Sequence, residues 1–473
     1  MNILEKIVAD KRMEVAKRKQ MLPLAEFKDR LSESDRDFKQ ALRQDHRANG
    51  AAFIMEVKKA SPSKGLIREN FDLDEICEAY GEYASCVSVL TDEKYFQGEF
   101  ERLPKVRNRL AQPVLCKDFF VDAYQIYLAR HYGANAILLM LSVLADDDYR
   151  DLAAVATSLG MDVLTEVSNK QEMVRAVALK ADILGINNRN LRDLSTDLNQ
   201  TPVLVNEFFK LASDEQIAAT FLISESGVYH HDQVKKLGHY VQGFLVGSSL
   251  MAENDLNNAC RALTRGLNKV CGITSSIDAN KAYELGARLC GLILVESSPR
   301  YVSLEAAKQI MSDSNPQIGF VTVVKDLKPK DALEIVSRLR PYAIQLHGNE
   351  SQQYIDNLRR EFKQHGIDTQ IWKAMAIDID GTLPLAFPTV DLLLLDTKSP
   401  TGQSGGTGVA FDWGKIGQLP LDMPPVILAG GLNKDNVELA RSLAVTGLDF
   451  NSGVESAPGV KDHRLLEAVF SVL

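Results

Sequence analysis

What this sequence lacks narrows it first. Its six cysteines, at positions 77, 86, 116, 260, 271 and 290, form no CxxC pair and no His/Cys spacing of the kind that binds metal. Sparse, unpatterned cysteine fits a reducing compartment. The N-terminus, MNILEKIVADKRMEVAKRKQ, carries charges of both signs throughout and has no apolar core of a signal peptide. The longest apolar stretch, near Ala136–Leu144, is far short of the about 20 residues that span a bilayer, so no membrane partner is expected. Together these absences predict a soluble cytoplasmic protein. A basic stripe is missing too: Lys+Arg 54 against Asp+Glu 63 gives a net charge of −9, spread without long single-sign blocks. Such a surface cannot neutralise a phosphate backbone, so nucleic acid is excluded as the expected partner. Small anions stay open, because a local nest of N–H groups with one or two cations binds phosphate on an acidic protein.

At 473 residues, 45% of them hydrophobic and 25% charged, the chain has the composition of a globular protein and the length of two or three domains. Ile3, Leu4, Ile7 and Val8 recur among charges with a helical period. After Gly50, short apolar runs alternate with longer amphipathic segments such as Asp72–Tyr83 and Asp146–Leu159. The runs Phe53–Lys58, Cys86–Leu90, Val114–Lys117, Ala136–Leu141, Asp162–Val167, Ile183–Asn187, Phe221–Glu225 and Phe244–Gly247 make eight candidate strands. A second set of eight follows: Lys269–Gly272, Leu292–Val295, Ile318–Val323, Ala343–Leu346, Ile371–Ala376, Leu392–Asp396, Val426–Ala429 and Leu448–Asn451. No GxGxxG follows the first strand, which argues against a doubly wound dinucleotide fold. The pattern predicts an α/β protein of two tandem (βα)8 barrels, the first with an N-terminal helical extension. No Pro/Gly/Ser-rich linker separates them; helical-looking Asp255–Leu267 bridges the sets, and the boundary falls near residue 260, giving domains 1–260 and 261–473.

In such barrels the loops after strands 7 and 8 commonly hold phosphate. Both halves carry Gly/Ser turns there: SESGV (224–228) and LVGSSL (245–250), then LAGGL (428–432) and DFNSGVE (449–455). Read singly each is an ordinary turn; four in the right places of two barrels predict phosphorylated substrates.

Strand alternation puts Glu56 and Lys58 on the face of Ile54, pointing into the first barrel's mouth. Lys117, Glu166, Asn187, Arg189, Glu225 and Ser226 stand at other strand ends, so together they surround one cavity at the catalytic face. Burial and mutual interaction can move Lys and Glu pKa values towards neutrality, as acid–base chemistry needs.

The strings MEVKKASPSKG, VLCKDFF, LTEV, GINNRNL, SESGV and LVGSSLM make residues 1–255 resemble indole-3-glycerol-phosphate synthase. The resemblance implies ring closure of 1-(2-carboxyphenylamino)-1-deoxyribulose 5-phosphate with loss of CO2 and water. It makes Lys117 the general acid on the ketone carbonyl and gives Glu166 a part in proton transfer, with Glu56 and Lys58 completing the network. It has Asn187 position the substrate, with Arg189 and Glu225 in support. Ser61, Ser226, Gly227, Gly247 and Ser248 come to lie at or near substrate or phosphate. The division of acid roles between Lys58 and Lys117 stays open.

In the second half, Cys271 ends the first strand and Asp396 ends the apolar run Leu392–Leu395, in phase with Leu392 and Leu394. His347 and Arg300 add a donor and a cation suited to a carboxylate. The strings KVCGIT, SSPRYV, QLHGNE, LLLDT, SGGTGVAFDW, ILAGGL and DFNSGVE make residues 265–473 resemble phosphoribosylanthranilate isomerase. The resemblance implies an Amadori rearrangement of N-(5′-phosphoribosyl)anthranilate, with Asp396 as general acid and Cys271 as general base. Its thiolate is expected to be favoured by an electropositive mouth. Arg300 is expected to pair with the anthranilate carboxylate and His347 to line the substrate site in a role left open. Gly430, Gly431, Ser452 and Gly453 are expected to hold phosphate, and Gly405–Gly408 to form a mobile loop.

Neither resemblance implies a metal or an organic cofactor. The leading expectation is a monomeric bifunctional enzyme of tryptophan biosynthesis, in which the isomerase product is the synthase substrate. Another pair of sugar-phosphate barrels would need a Schiff-base lysine or paired metal ligands, which do not stand out. A non-catalytic scaffold would have no reason to keep Lys117, Glu166, Cys271 and Asp396 at strand ends.

Overall fold

The computed structural model describes residues 3–190, 194–383, 387–397, 412–419 and 423–473. The chain divides into two compact units, Met1–Tyr229 with Leu237–Cys260, and His230–Lys236 with Arg261–Leu473.

In the first unit, eight parallel strands close into a barrel: β1 (Ala52–Val57), β2 (Cys86–Leu90), β3 (Val114–Lys117), β4 (Ala136–Met140), β5 (Asp162–Val167), β6 (Ile183–Asn187), β7 (Phe221–Glu225) and β8 (Gly243–Val246). Each pairs with its sequence neighbours, and β1 closes the ring against β8. These strands are buried on both faces, which is why they read as nearly continuous apolar runs. The interior packs Ile54, Leu115, Leu138, Leu164, Ile223 and Leu245 together. Truncating one of these to Ala is expected to cost about 2–5 kcal/mol.

Two helices precede the barrel. α1 (Ile3–Met21) brings Ile3, Leu4 and Ile7 to the cavity at the C-terminal ends of the strands. α2 (Phe38–Asn49) begins at Asp37, whose carboxylate accepts from the Gln40 N–H at 2.7 Å, and ends at Gly50 with φ 79°. It plugs the opposite end: Phe38 and Leu42 join the interior, and the N–H groups of Phe38 and Lys39 donate to Asp162 Oδ2, at the start of β5. Most connecting helices start on a short polar cap, such as Asp72 ahead of α3 (Leu73–Tyr83) and Asp92 ahead of α4 (Glu93–Phe96). Such caps are each worth about 1 kcal/mol.

The second unit repeats the closed parallel barrel with β9 (Lys269–Val270), β10 (Leu289–Ile293), β11 (Gly319–Val324), β12 (Ala343–Leu346), β13 (Gln370–Ile377), β14 (Leu392–Thr397), β15 (Val426–Leu428) and β16 (Gly447–Phe450). Trp372, Leu392, Leu394 and Ile427 fill its centre. The strand expected at Leu292–Val295 in fact begins three residues earlier, at Leu289. Gly291 disguised it: a Cβ there would lie 2.7 Å from Cys271 Sγ, so the strand carries a glycine where the interior needs room for the thiol. The bridging helix is Leu256–Arg265, shorter at each end than its sequence pattern. Among the described residues, no helix is long and apolar enough to cross a membrane.

Candidate active sites

In the first barrel, the four odd-numbered strands each place an ionisable residue two positions beyond an interior aliphatic. Ile54 leads to Glu56, Leu115 to Lys117, Leu164 to Glu166 and Ile223 to Glu225. Alternate strands build one layer of four side chains in this fold, so the top layer of the barrel is a lysine among three carboxyl groups. Lys117 Nζ lies 3.0 Å from Glu225 Oε2 and 3.5 Å from Glu56 Oε2. Lys58 donates to the other oxygen of Glu56. Asn187 Nδ2 donates to Glu166 Oε1 at 3.1 Å, and its own Oδ1 accepts from the Arg189 N–H at 2.9 Å, which fixes the amide's orientation.

The charges sort by their surroundings. Burial alone would lower the Lys117 pKa, but the carboxylates of Glu225 and Glu56, joined by Glu166 once it ionises, outweigh it and hold the ammonium charged. Burial would raise Glu56, yet Lys58 and Lys117 pull it below the usual range. Glu166 has no such cation to itself: burial and the neighbouring Glu225 push it up to about 8, against smaller opposing effects from Lys117 and Asn187. The site therefore holds a protonated acid, Glu166, beside a charged one, Lys117, at neutral pH.

One cavity is lined by Glu56, Lys58, Ser61, Lys117, Glu166, Asn187, Arg189, Ser226, Gly227, Gly247 and Ser248, which gathers every expected first-site residue except Glu225. Glu225 lies 1% exposed, with its contact to the cavity made through Lys117. The cavity is also lined by Ile3, Leu4, Ile7, Phe96, Phe119, Leu138 and Met140, an apolar wall whose members share one hydrophobic cluster. After β7, Ser226 and Gly227 turn the chain with successive φ values of 65° and 84°, and both line the cavity.

In the second barrel the same two-residue phase holds. Lys269 precedes Cys271, Leu394 precedes Asp396, and Gln345 precedes His347. Asp396 is pushed up to about 6, by burial first and then by Asp449, against its hydrogen bond from the Thr397 N–H and the charge of Lys269. His347 Nε2 lies 3.9 Å from Asp396 Oδ2. Burial, with Lys269 and Lys373, pushes His347 down to about 4, so it faces Asp396 as a neutral ring. Gln345 Nε2 is 3.1 Å from His347 Nδ1, a contact that orients the ring.

Two expectations change. An acidified thiol was expected at Cys271, yet burial raises its pKa more than Lys269 and Lys461 lower it. Arg300 is already engaged: Nη2 and Nε hold Glu455 at 2.7 and 3.0 Å, and Lys461 holds the same carboxylate at 2.7 Å. The Nη1 edge of the guanidinium is what it can offer a second carboxylate. Gly430 and Gly431, with φ 86° and 72°, turn the chain after β15 as Ser226 and Gly227 do after β7, and Ser452–Val454 form a helical turn after β16. The expected loop Gly405–Gly408 lies outside the described residues.

Lys269 and Asp449 were not anticipated. They pair at 2.8 Å, with Lys269 fully buried, between Cys271 and Asp396. Counting back two residues from Cys271 and from Asn451 would have found them. Glu455 and Lys461, brought together by a short hairpin, leave no such periodic trace.

The sequence model of the indole-3-glycerol phosphate synthase family matches residues 4–263, and that of N-(5′-phosphoribosyl)anthranilate isomerase matches 268–472. The tryptophan biosynthesis protein TrpCF of Vibrio cholerae is 52% identical over 472 residues, covering 100% of this chain and 96% of its own. Its counterpart in Vibrio parahaemolyticus is 50% identical over 471 residues, covering 100% and 94%. The solved phosphoribosyl anthranilate isomerase of Thermus thermophilus is 33% identical, with a TM-score of 0.38, over 43% of this chain and 96% of its own. The chain therefore belongs to the indole-3-glycerol phosphate synthase family in its first barrel and to the phosphoribosylanthranilate isomerase family in its second, joined as in the bifunctional proteins of tryptophan biosynthesis.

Proposed function

We propose that the two barrels carry out consecutive steps with separate acid–base machinery. The second barrel isomerises N-(5′-phosphoribosyl)anthranilate to 1-(2-carboxyphenylamino)-1-deoxyribulose 5-phosphate. The first closes that product to indole-3-glycerol phosphate with loss of CO2 and water. The observation that carries the residue roles is the phase of the strands, which delivers Glu56, Lys117, Glu166 and Glu225 to one layer and Cys271 and Asp396 to the other barrel's mouth.

In ring closure, the substrate's aromatic ring lies on the apolar wall and its phosphate on Ser226, Gly227, Gly247 and Ser248. The ring carbon bearing the carboxylate attacks the ketone carbon. Lys117 donates a proton to the carbonyl oxygen as negative charge develops there, an interaction stronger in the transition state than in the ground state. Departure of CO2 leaves its bonding electrons in the ring. Glu166, protonated near neutrality, then supplies the proton with which the new hydroxyl leaves as water, and loss of a ring proton completes the indole. Ser61 and Arg189 contact substrate at the rim; Asn187 aims Glu166, and Lys58 with Glu56 keeps Lys117 in place.

In isomerisation, Asp396 protonates the ribose ring oxygen as the C1′–O bond opens, and Cys271 removes the C2′ proton. Arg300 takes the anthranilate carboxylate on its Nη1 edge. His347 stands beside Asp396 as a neutral ring, and Gly430, Gly431, Ser452 and Gly453 hold the phosphate. A cytoplasmic monomer is the setting proposed: all six cysteines are buried and outside any disulfide, and neither reaction requires a second copy.

Two outcomes test these roles. Catalysis of isomerisation needs Asp396 protonated and Cys271 ionised at once. Below pH 6 the thiolate fraction grows with pH while Asp396 stays protonated, so kcat/KM rises. Above about 6, loss of the acid cancels further gain of thiolate, so the profile is flat until the raised thiol pKa is passed, and only then falls. A decline setting in at pH 6 would contradict Cys271 as a high-pKa base. Separately, a Cβ at Gly247 would lie 2.5 Å from Glu56 Oε1 and 2.8 Å from Glu56 Cβ. Gly247→Ala is therefore expected to displace Glu56 and lower kcat/KM for ring closure by about tenfold or more, leaving isomerisation unchanged. Equal ring-closure kinetics for both proteins would show that Glu56 needs no such room.

A further inference from the structure

One buried ionic cluster in the first barrel takes no part in this chemistry. Lys11, on α1, is 2% exposed. Its Nζ lies 2.7 Å from Glu14 Oε2, 2.9 Å from Asp92 Oδ2 and 2.8 Å from Asp118 Oδ1. The carboxylates come from three places: α1 itself, the loop after β2, and the residue that follows Lys117 at the end of β3. Asp118 is gripped from its other side by Thr91 Oγ1 at 2.7 Å, and the Thr91 N–H donates to the Lys117 carbonyl at 3.2 Å. Asp92 caps α4 through Oδ1, and Lys94 and Tyr95 of α4 donate back to Asp10, beside Lys11.

This is a heavy investment of charge for a packing position, which Leu or Met would fill without desolvation. Its use lies in what α1 otherwise lacks. Of the 19 residues of α1 only Ile7, Lys11 and Val15 are buried, too little apolar area to fix a helix firmly. Yet the first turns of α1 must hold Ile3, Leu4 and Ile7 in the cavity wall, with Phe96 and Phe119. Ile3, Ile7, Lys11 and Glu14 share one stripe of the helix, so a bond at Lys11 sets the depth at which Ile7 sits.

We propose that Lys11 is a positioning residue for ring closure: by gripping Asp92 and Asp118 it seats α1 so that Ile3, Leu4 and Ile7 form the wall that binds the substrate's aromatic ring. It touches neither substrate nor reacting atoms. The proposal rests on the placement of the ring-closure site given above. Wall contacts act alike on substrate and transition state, so their loss weakens binding rather than the chemical step.

The test is steady-state kinetics of the full chain with 1-(2-carboxyphenylamino)-1-deoxyribulose 5-phosphate. Lys11→Met is expected to raise KM about tenfold while kcat stays within about threefold, with isomerisation unchanged. A merely structural role gives the opposite split: partial unfolding lowers apparent kcat with the active fraction and leaves KM alone. Lys11→Arg, which keeps the charge, restores KM to within about threefold of the parent. Ile7→Ala raises KM by itself but adds little to Lys11→Met, whose wall has already moved. Should Lys11→Met fail to fold, Asp92→Asn carries the test, since its Oδ1 keeps the α4 cap while the oxygen that accepts from Lys11 is replaced by an amide NH2. An unchanged KM in the folded variants, or KM effects of Lys11→Met and Ile7→Ala that multiply in full, overturns the proposal. Ring closure retained by Lys117→Ala would overturn the placement of the site instead.

Discussion

Lys117→Ala is expected to lower ring closure by about 10³-fold or more while isomerisation by the same protein proceeds at its parent rate. The size follows from two losses at one atom. A positioned general acid contributes about 10²–10⁴-fold, and the ammonium also stabilises the charge developing on the carbonyl oxygen in a water-poor site. Lys117 is held charged by Glu225 and Glu56, while Lys58, another lysine of the cavity, is paired with Glu56. Its removal also leaves Glu56 and Glu225 without their shared partner, at 3.5 and 3.0 Å. Stranding buried carboxylates in this way costs up to about 3–5 kcal/mol, moderated by proton uptake. The variant should therefore unfold earlier in urea, and activity must be measured well below that transition. Loss confined to kcat, with the isomerase unaffected, is the expected pattern. A fall of less than about tenfold would remove Lys117 from the chemistry.

Asp396→Asn should do the reverse, lowering isomerisation by about 10²–10⁴-fold and sparing ring closure. Asparagine keeps an oxygen for the Thr397 N–H, at 2.8 Å in the parent, but has no acidic proton to give the ribose oxygen. The same substitution carries a stability signature with a definite sign. The folded pKa of Asp396, about 6, lies above its ordinary 3.8. The native state thus favours the protonated form. This stabilisation is complete below about 3.8 and is lost as pH rises through about 6. Roughly two pH units at 1.36 kcal/mol each give a penalty of about 3 kcal/mol for carrying the buried carboxylate at pH 8. Asp396→Asn should relieve part of it, so the inactive second barrel is expected to be as stable as the parent or more so at pH 8, and relatively less favoured at pH 4. Denaturation at the two pH values, followed alongside the isomerase assay, checks both halves of the claim. A variant destabilised at pH 8 would contradict the raised pKa.

Both barrels were legible because fully buried parallel strands leave nearly unbroken apolar runs, and because the proposed catalytic groups continue the inward phase of those runs. Ile54 to Glu56 and Leu394 to Asp396 are the same step in two barrels. Legibility failed where that logic is interrupted. Gly291 hid the start of β10 because the interior there needs space for the Cys271 thiol. The state of that thiol was also misjudged: cations beside it can be guessed from sequence, but the depth of its burial cannot. Arg300 was found as a cation, but not its engagement by Glu455, which depends on a hairpin 155 residues away in sequence. Lys11 was invisible for a related reason. Its partners, Asp92 and Asp118, belong to loops after two different strands, and on the sequence it is one lysine among several on a charged helix.

The two sites are proposed to work independently and in series within one chain, which mixing two single variants can decide. Lys117→Ala and Asp396→Asn proteins, alone and combined, are given N-(5′-phosphoribosyl)anthranilate, and indole-3-glycerol phosphate is measured. The prediction is that neither alone makes indole product beyond a trace, that Lys117→Ala accumulates the open-chain intermediate, and that the mixture restores product by free diffusion of that intermediate. If either substitution abolishes both half-reactions in a folded chain, or if the mixture stays inactive while each half-reaction survives, the two sites are not independent.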